Sequence, residues 1–350
     1  MKKWFTLVVC FLAVNFGAYA QYKSVSDIIY TQSTDAYAQE RCKLDVYYPT
    51  LLRDVPVVVW FHSGGLVRGN KHIDSELKNS GMVVIAANYR LLPDATIDDC
   101  LDDAAAAVAW AFHHCTEYGG SPRKIFVAGH SAGAYLLDMI GLDKHWLAKY
   151  GVDADSIAAL FPFSGQCLTH FNVRQQQYGL GPLQPWIDEY APFAHMRPDA
   201  PPIVIVSGDR EKEMYGRYEE QAFFWRMLKL NGHPAVSIYE LKGYSHGEMH
   251  HPAYGILKNE INAREAAINK RTIYMKVFPN PATNIVTVEP EGRMESIVVF
   301  DMMGEVMYVD NDAHGTTATI DVSGFSEGVY VIRVMTDKGV AVSKLSIVNK

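Results

Sequence analysis

Positive charge is in short supply: 32 Lys and Arg stand against 39 Asp and Glu, a net charge of −7 at neutral pH. That balance leaves no basic footprint for nucleic acid or an anionic membrane surface, so the expected partners are small or neutral. Cysteine is scarce as well. Cys10 lies in an apolar N-terminal run, and Cys42, Cys100, Cys115 and Cys167 are scattered over the rest. Cys100 and Cys115 fall in one expected helix, which would hold them about 22 Å apart. A disulfide spans no more than about 7 Å between Cα atoms, so that pair is excluded if the helix is continuous. No pairing of the others follows from the sequence.

The N-terminal apolar run, "WFTLVVCFLAVNFGAYA", is too short for an integral membrane span, which needs roughly 20 apolar residues. It follows Lys2-Lys3 and ends in Ala18-Tyr19-Ala20. A basic start, an apolar stretch and an A-x-A end are the pattern of a secretory signal peptide over residues 1–20. Cys10 sits inside the run behind a bulky valine and is not placed as a lipidation site. The composition of the whole chain, 49% hydrophobic and 20% charged, is that of an ordinary globular protein. A chain of 350 residues exceeds what one core usually serves, and two domains are expected.

From Pro56 to Leu241 strand-like and helix-like segments alternate. "PVVVWFH", "MVVIAANYR", "KIFVAG", "SIAALFPFSG", "PPIVIVSG" and "AVSIYELKG" are short, β-branched or aromatic, and closed by turn residues. Their continuous apolar character suits strands covered on both faces. Helical patterns over Thr96–Tyr118, Ala134–Lys149 and Tyr218–Leu230 separate them. Such alternation predicts an α/β domain with a mostly parallel sheet and helices on both faces. Gln166–Ala200 breaks the rhythm with aromatics among prolines, and is read as a cap over a site, with a packed excursion as the alternative. From Val277 the chain turns to short strands punctuated by Gly and Asp, the pattern of a small all-β, immunoglobulin-like sandwich. The expected division is therefore a signal peptide over 1–20, an α/β domain over 21–268, a linker over 269–276 and a β domain over 277–350.

Within "KIFVAGHSAGAYLLDMI", Gly129 and Gly133 flank Ser131 by two residues on each side, after a strand and before a helix. This G-x-S-x-G elbow exposes a serine Oγ at a helix N-terminus, where backbone N–H groups can receive negative charge. Acyl transfer also needs donors aimed at the developing oxyanion. Gly64 and Gly65 in "FHSGGLVRGNK" and the N–H of Ala132 are the candidates, although a Gly pair alone also fits a tight turn. The order nucleophile, acid, histidine then directs attention downstream. His246, in "LKGYSHGEMHH" after the last strand, is the candidate base, with His250 and His251 falling in the next segment. The H-x-E-x-H spacing there differs from the helical H-E-x-x-H of zinc ligands, and no metal is expected. Two carboxylates, Asp209 and Glu211, compete for the acid after "PPIVIVSG".

These residues, with "LDVYYP", "NYRLLP" and "DDAAAAVAWAF", resemble the α/β-hydrolase superfamily, in its secreted esterase branch of hormone-sensitive-lipase-like and feruloyl-esterase-like enzymes. The resemblance runs roughly from Asp27 to Ile268. It implies the α/β-hydrolase fold and an ester-hydrolysing triad, with the acid three residues after the strand-end glycine, a register that favours Glu211 over Asp209. The family's H-G-G-G loop reads His62-Ser63-Gly64-Gly65 here. "VFPNPATNIVTV", "VVFDMMGEVMY" and "GVYVIRVMTDKGVAVSKLSIV" resemble the C-terminal sorting domain of type IX secretion cargo in Bacteroidetes, which implies transit across the outer membrane and release or surface attachment. A carbohydrate-binding sandwich is the alternative for this domain.

The expectation is a secreted serine carboxylic-ester hydrolase working through an acyl-enzyme on acylated carbohydrate or other small esters. It calls for no metal or organic cofactor, and its macromolecular partner is the type IX secretion machinery. The alternatives are a serine exopeptidase on the same fold and a non-catalytic surface binding protein.

Overall fold

The computed structural model describes residues 21–268, 273–310 and 312–348. The expected signal peptide lies outside the described residues, and so do positions 269–272 of the expected linker.

The first domain opens with strand β1 (Tyr22–Ile29), a short helix α1 (Ala36–Arg41) and β2 (Lys43–Pro49). The alternating part follows as β3 (Val55–Phe61), β4 (Val83–Ala87), α2 (Ile97–His114), β5 (Gly120–His130), α3 (Ala132–Leu142) and α4 (His145–Ala148). It continues with β6 (Ala159–Phe163), α5 (Phe171–Tyr178), β7 (Ile203–Gly208), α6 (Arg217–Leu230), β8 (Val236–Leu241) and α7 (His250–Ile268). All eight strands join one sheet in the order β1-β2-β4-β3-β5-β6-β7-β8. β1 and β2 pair antiparallel at one edge, and β4 through β8 pair parallel.

The apolar runs of the central strands are explained by two cores, one on each side of the sheet. Val57, Val59 and Phe61 of β3 and Ile125 and Val127 of β5 face α2 and α3. Their sequence neighbours Val58, Trp60, Phe126 and Ala128 pack instead with Met249, Ala253, Tyr254, Leu257 and Ile261 from the α7 region. A two-residue period with both faces covered leaves no polar position, so the strands read as continuous hydrophobic segments. α2 starts where Thr96 and Asp99 form a reciprocal capping box.

Two expected helices differ in extent. The segment 134–149 is divided, because Asp143 takes an extended backbone and its Oδ1 accepts from the N–H of His145, which starts α4. The helix expected over 96–118 ends at His114 in a tighter turn closed by Gly119 at φ 83°. Cys42, Cys100, Cys115 and Cys167 are all buried free thiols.

The second domain comprises β9 (Met275–Phe278), β10 (Ile285–Pro290), β11 (Met294–Asp301), β12 (Val306–Asp310), β13 (Ala318–Asp321), β14 (Gly328–Thr336) and β15 (Gly339–Ile347). They form antiparallel sheets in the orders β13-β10-β9 and β12-β11-β14-β15 around one core that includes Val286, Val288, Ile297, Val299, Ile332 and Val334. β9 begins at Met275, slightly ahead of the boundary expected at 277. The domain rests against the first through Val298, Phe300 and Val309. A charge chain that runs from the interior to the surface reinforces the contact: Arg333 lies 2.6 Å from Glu265 on α7, Glu265 3.3 Å from the buried Lys124, and Lys124 2.7 Å from the partly exposed Asp54.

One close approach fixes the geometry of the site. A Cβ on Gly133 would stand 2.2 Å from the carbonyl oxygen of Phe61, and one on Gly129 2.7 Å from the carbonyl carbon of Gly133. Both obstacles are backbone and cannot swing aside. Helix α3 therefore leaves β5 hard against the end of β3 only because these positions lack side chains. Gly133→Ala is expected to destabilise the protein by about 1–3 kcal/mol or more, as an overpacked core does, measured as a lowered urea midpoint.

Candidate active site

Ser131 occupies the corner between β5 and α3 with φ 56° and ψ −112°. A left-handed conformation is costly for a residue with a Cβ, and it persists only where the surroundings enforce it. Here the serine N–H donates to the carbonyl of Phe163 and its carbonyl accepts from Tyr135. The hydroxyl is thereby aimed out of the sheet. Nε2 of His246 lies 3.0 Å from its Oγ. His246 sits in the loop after β8, and its backbone carbonyl accepts from Nε2 of His130, at 2.8 Å. Burial, helped by the neighbouring His246 and His250, pulls His130 down to about 3, so its ring is neutral and can play the donor.

The carboxylate behind His246 is Glu213, and this corrects the sequence expectation. Its Oε2 lies 2.8 Å from Nδ1 of His246. Glu211 makes no contact with the histidine, and Asp209 serves the turn: its Oδ1 accepts from the N–H of Glu211 and its Oδ2 from the N–H of Gly243. The reason lies in the loop. The N–H of Glu213 bonds back to the carbonyl of Asp209 at 2.9 Å, making one helical turn after β7. That turn swings Glu211 outward and Glu213 under the imidazole. Gly208 is the residue that makes room, since a Cβ there would stand 2.8 Å from Oε1 of Glu213. The only sequence signal was Asp209 itself, a residue that starts turns by bonding its own backbone two residues on.

Glu213 is fully enclosed, its side chain at 0% exposure. Burial would raise its pKa, but the hydrogen bond and charge of His246, the hydroxyl of Ser164 and the N–H of Gly208 outweigh it and hold the carboxyl at about 2. Ser164, at the end of β6, donates to Oε1, while its own carbonyl accepts from the buried guanidinium of Arg217. Neither Ser164 nor Arg217 carried a motif, and they were not anticipated.

Gly64 and Gly65 lie in the loop after β3 with φ 126° and 65°. The carbonyl of Gly64 accepts from the N–H groups of Val67 and Arg68, and that of Gly65 from Nδ2 of Asn172 at 2.6 Å. The N–H of Ala132, at the first turn of α3, has no intrahelical acceptor. The preceding His62 is neutral, burial bringing it to about 4, and its Nδ1–H donates to the carbonyl of Ser63 at 2.7 Å. His62 stacks on Tyr89 at 4.4 Å, which anchors the loop. Asn172 comes from the segment expected to form a cap; its neighbour Phe171 packs edge-on to Tyr215 at 5.6 Å. His250 and His251 belong to α7, and His251 Nδ1 faces Glu76 at 2.8 Å. Among the described residues no three His, Cys, Asp or Glu side chains are grouped to hold a metal ion.

The mostly parallel sheet, with a serine elbow after β5 and a histidine after β8, is the α/β-hydrolase fold. Residues 44–178 match the BD-FAE family and residues 276–348 the secretion system C-terminal sorting domain. The first domain thus has the α/β-hydrolase fold and carries a match to an esterase family over residues 44–178, and the match over residues 276–348 is to a type IX sorting domain, which indicates secretion to the cell surface or the extracellular space. Curated relatives include the probable carboxylic ester hydrolase LipM of Mycobacterium tuberculosis, 26% identical over 52% of this chain and 47% of that protein. The carboxylesterase NlhH of the same organism is 37% identical over 25% of this chain and 30% of its own. The chain spans less than half the length of each. Among solved structures, a truncated carbohydrate esterase from gut microbiota superposes with a TM-score of 0.58 at 14% identity, covering 71% of this chain and 98% of that one. Esterase 2 of Thermogutta terrifontis gives 0.54 at 21% identity over 70% and 95%. At such identities the likeness is one of fold. Among the described residues no helix is long and apolar enough to cross a membrane.

Glu213→Gln is expected to lower kcat for a short aryl ester by about 10⁴, the cost of losing the carboxylate that holds the histidine. Glu211→Gln and Asp209→Asn should stay within about tenfold of wild type. The folded pKa of Glu213 is depressed from 4.5 to about 2, so its contribution to stability is complete above about pH 4.5 and is lost as pH falls toward 2. The urea midpoints of wild type and Glu213→Gln should accordingly converge between about pH 5 and about pH 2.

Proposed function

We propose that the protein is a serine carboxylic-ester hydrolase acting through an acyl-enzyme. The observation that carries this reading is the continuous line from Glu213 through His246 to the Oγ of Ser131, with contacts of 2.8 and 3.0 Å. In this mechanism His246 takes the Ser131 proton as Oγ attacks the ester carbonyl, and Glu213 stabilises the imidazolium that forms. The N–H groups of Gly64, Gly65 and Ala132 bind the oxyanion. Collapse of the tetrahedral intermediate expels the alcohol, which takes the proton back from His246. Water, activated by the same histidine, then releases the acid. Each step is carried by protein groups.

Residues 21–268 would supply the chemistry and residues 277–350 the address read by the type IX machinery. The substrate class proposed is acylated carbohydrate or another small ester. Export beyond the outer membrane supports it, since acylated polymers outside the cell are too large to enter.

Ser131→Ala should reduce hydrolysis of p-nitrophenyl acetate by about 10⁴-fold or more. A fluorophosphonate should label the wild type, and both Ser131→Ala and His246→Ala should escape labelling. Unreduced hydrolysis by Ser131→Ala would sink the proposal. Hydrolysis of aminoacyl amides in preference to acyl esters would replace it with the exopeptidase reading.

A further inference from the structure

The segment between β6 and β7 carries two aromatic rings that packing does not explain. Tyr178 is 44% and Trp186 42% exposed, yet both are pinned. Oδ2 of Asp188 accepts from the phenol of Tyr178 at 2.9 Å and from the indole N–H of Trp186 at 3.2 Å. Oδ1 of the same carboxylate accepts from Thr169 Oγ at 2.6 Å and from the N–H of Tyr190 at 2.9 Å. The rings stand 5.2 Å apart at 46°. Beneath them the buried Arg174 ties the segment together, donating to the carbonyls of Thr169 and Pro182 at 3.0 and 2.6 Å.

This arrangement engages the polar edges of both aromatics while each ring residue stays more than two fifths exposed. Ordering exposed side chains costs conformational entropy, and scattered surface aromatics are not normally held this way. The position along α5 adds direction. Phe171, Gln175 and Tyr178 are spaced i, i+4 and i+7, which places them on one side of the helix. Phe171 is at the end beside Gly65, where a Cβ on that glycine would come within 3.6 Å of its ring. Tyr178 is then about 10 Å further along the helix axis, roughly the length of two sugar units. An exposed amide between two aromatic residues offers a hydrogen-bonding group midway.

We propose that Tyr178 and Trp186 form a stacking platform for a neutral oligosaccharide whose acylated unit lies at Ser131, so that α5 is the floor of an extended glycan subsite. The proposal rests on the ester-hydrolase reading above and gives its substrate class a location. Aromatic faces, electron-rich at the centre, suit the C–H face of a pyranose, while the sugar hydroxyls at its rim stay in reach of Gln175 and water. Asp188 and Glu189 beside the rings, together with the net charge of −7, disfavour an anionic lipid surface as the occupant.

The test compares acetylated xylotetraose with p-nitrophenyl acetate on the full chain. Tyr178→Ala and Trp186→Ala should each raise KM for the acetylated oligosaccharide about tenfold, the scale of one aromatic contact, with kcat and the aryl-ester kinetics unchanged. Trp186→Phe, which keeps a ring face, should recover most of the affinity. Equal changes on both substrates, or none on the oligosaccharide, would overturn the platform. Binding of unsubstituted xylotetraose to Ser131→Ala, with and without Trp186→Ala and read by isothermal titration calorimetry, separates this proposal from the chemistry. Binding that requires Trp186 upholds the platform even if the wild type cleaves neither ester. Loss of phosphatidylcholine-vesicle binding in Trp186→Ala, with xylotetraose binding intact, would assign the rings to a lipid surface and end the proposal.

Discussion

The side chain of Glu213 has no contact with solvent and is nevertheless ionised, because groups from three strand ends meet it. Nδ1 of His246 comes from beyond β8, Oγ of Ser164 from the end of β6, and the N–H of Gly208 from the end of β7. An isolated buried carboxylate would shed its charge by taking up a proton. Here three donors meet the carboxylate, two on Oε1 and one on Oε2, and the charge survives in an enclosed place. The imidazole is oriented by this anchor, and the serine by the imidazole. A shift of any one of the three strand ends would be felt at Ser131.

The neutral histidines around the site serve a different purpose. His62 and His130 are kept uncharged by burial and spend their N–H groups on backbone carbonyls, those of Ser63 and His246. They act as rigid spacers that fix two loops, one bearing the oxyanion donors and one bearing the base. Only His246, of these three, faces a carboxylate. This division leaves His246 as the one of the three backed by an enclosed carboxylate, Glu213, which can stabilise an imidazolium there.

How much of this was legible depends on how local the cause is. Ser131 could be found because the elbow needs small residues at fixed offsets between a strand and a helix, and His246 because it directly follows a recognisable strand. Glu213 lies outside the two carboxylates, Asp209 and Glu211, that the sequence brings forward, since its placement depends on a single turn whose hydrogen bond from Glu213 to Asp209 leaves no mark on composition. The β1–β2 pair was passed over because its outer strand is mostly exposed and lacks the apolar signature of the interior strands. Helix α7 is legible in its spacing, since Ala253, Tyr254, Leu257 and Ile261 recur at helical intervals and are buried together. Helix α5 offered no such signal, for its middle is polar and its role is to lie across the loop of Gly65.

The sheet order has a consequence for how the protein fails. β8 is the last strand of its sheet, pairs only with β7, and is half-buried except at the exposed Tyr239. Strands of this kind open at lower free energy than the centre of a domain. The loop that holds His246 hangs from the free end of β8, whereas Ser131 stands on β5 in the middle. Peeling of that one margin would disconnect base from nucleophile while the core and most of the secondary structure remained intact. Inactivation and unfolding are then separate events, and circular dichroism would describe as native a molecule that had already lost its chemistry.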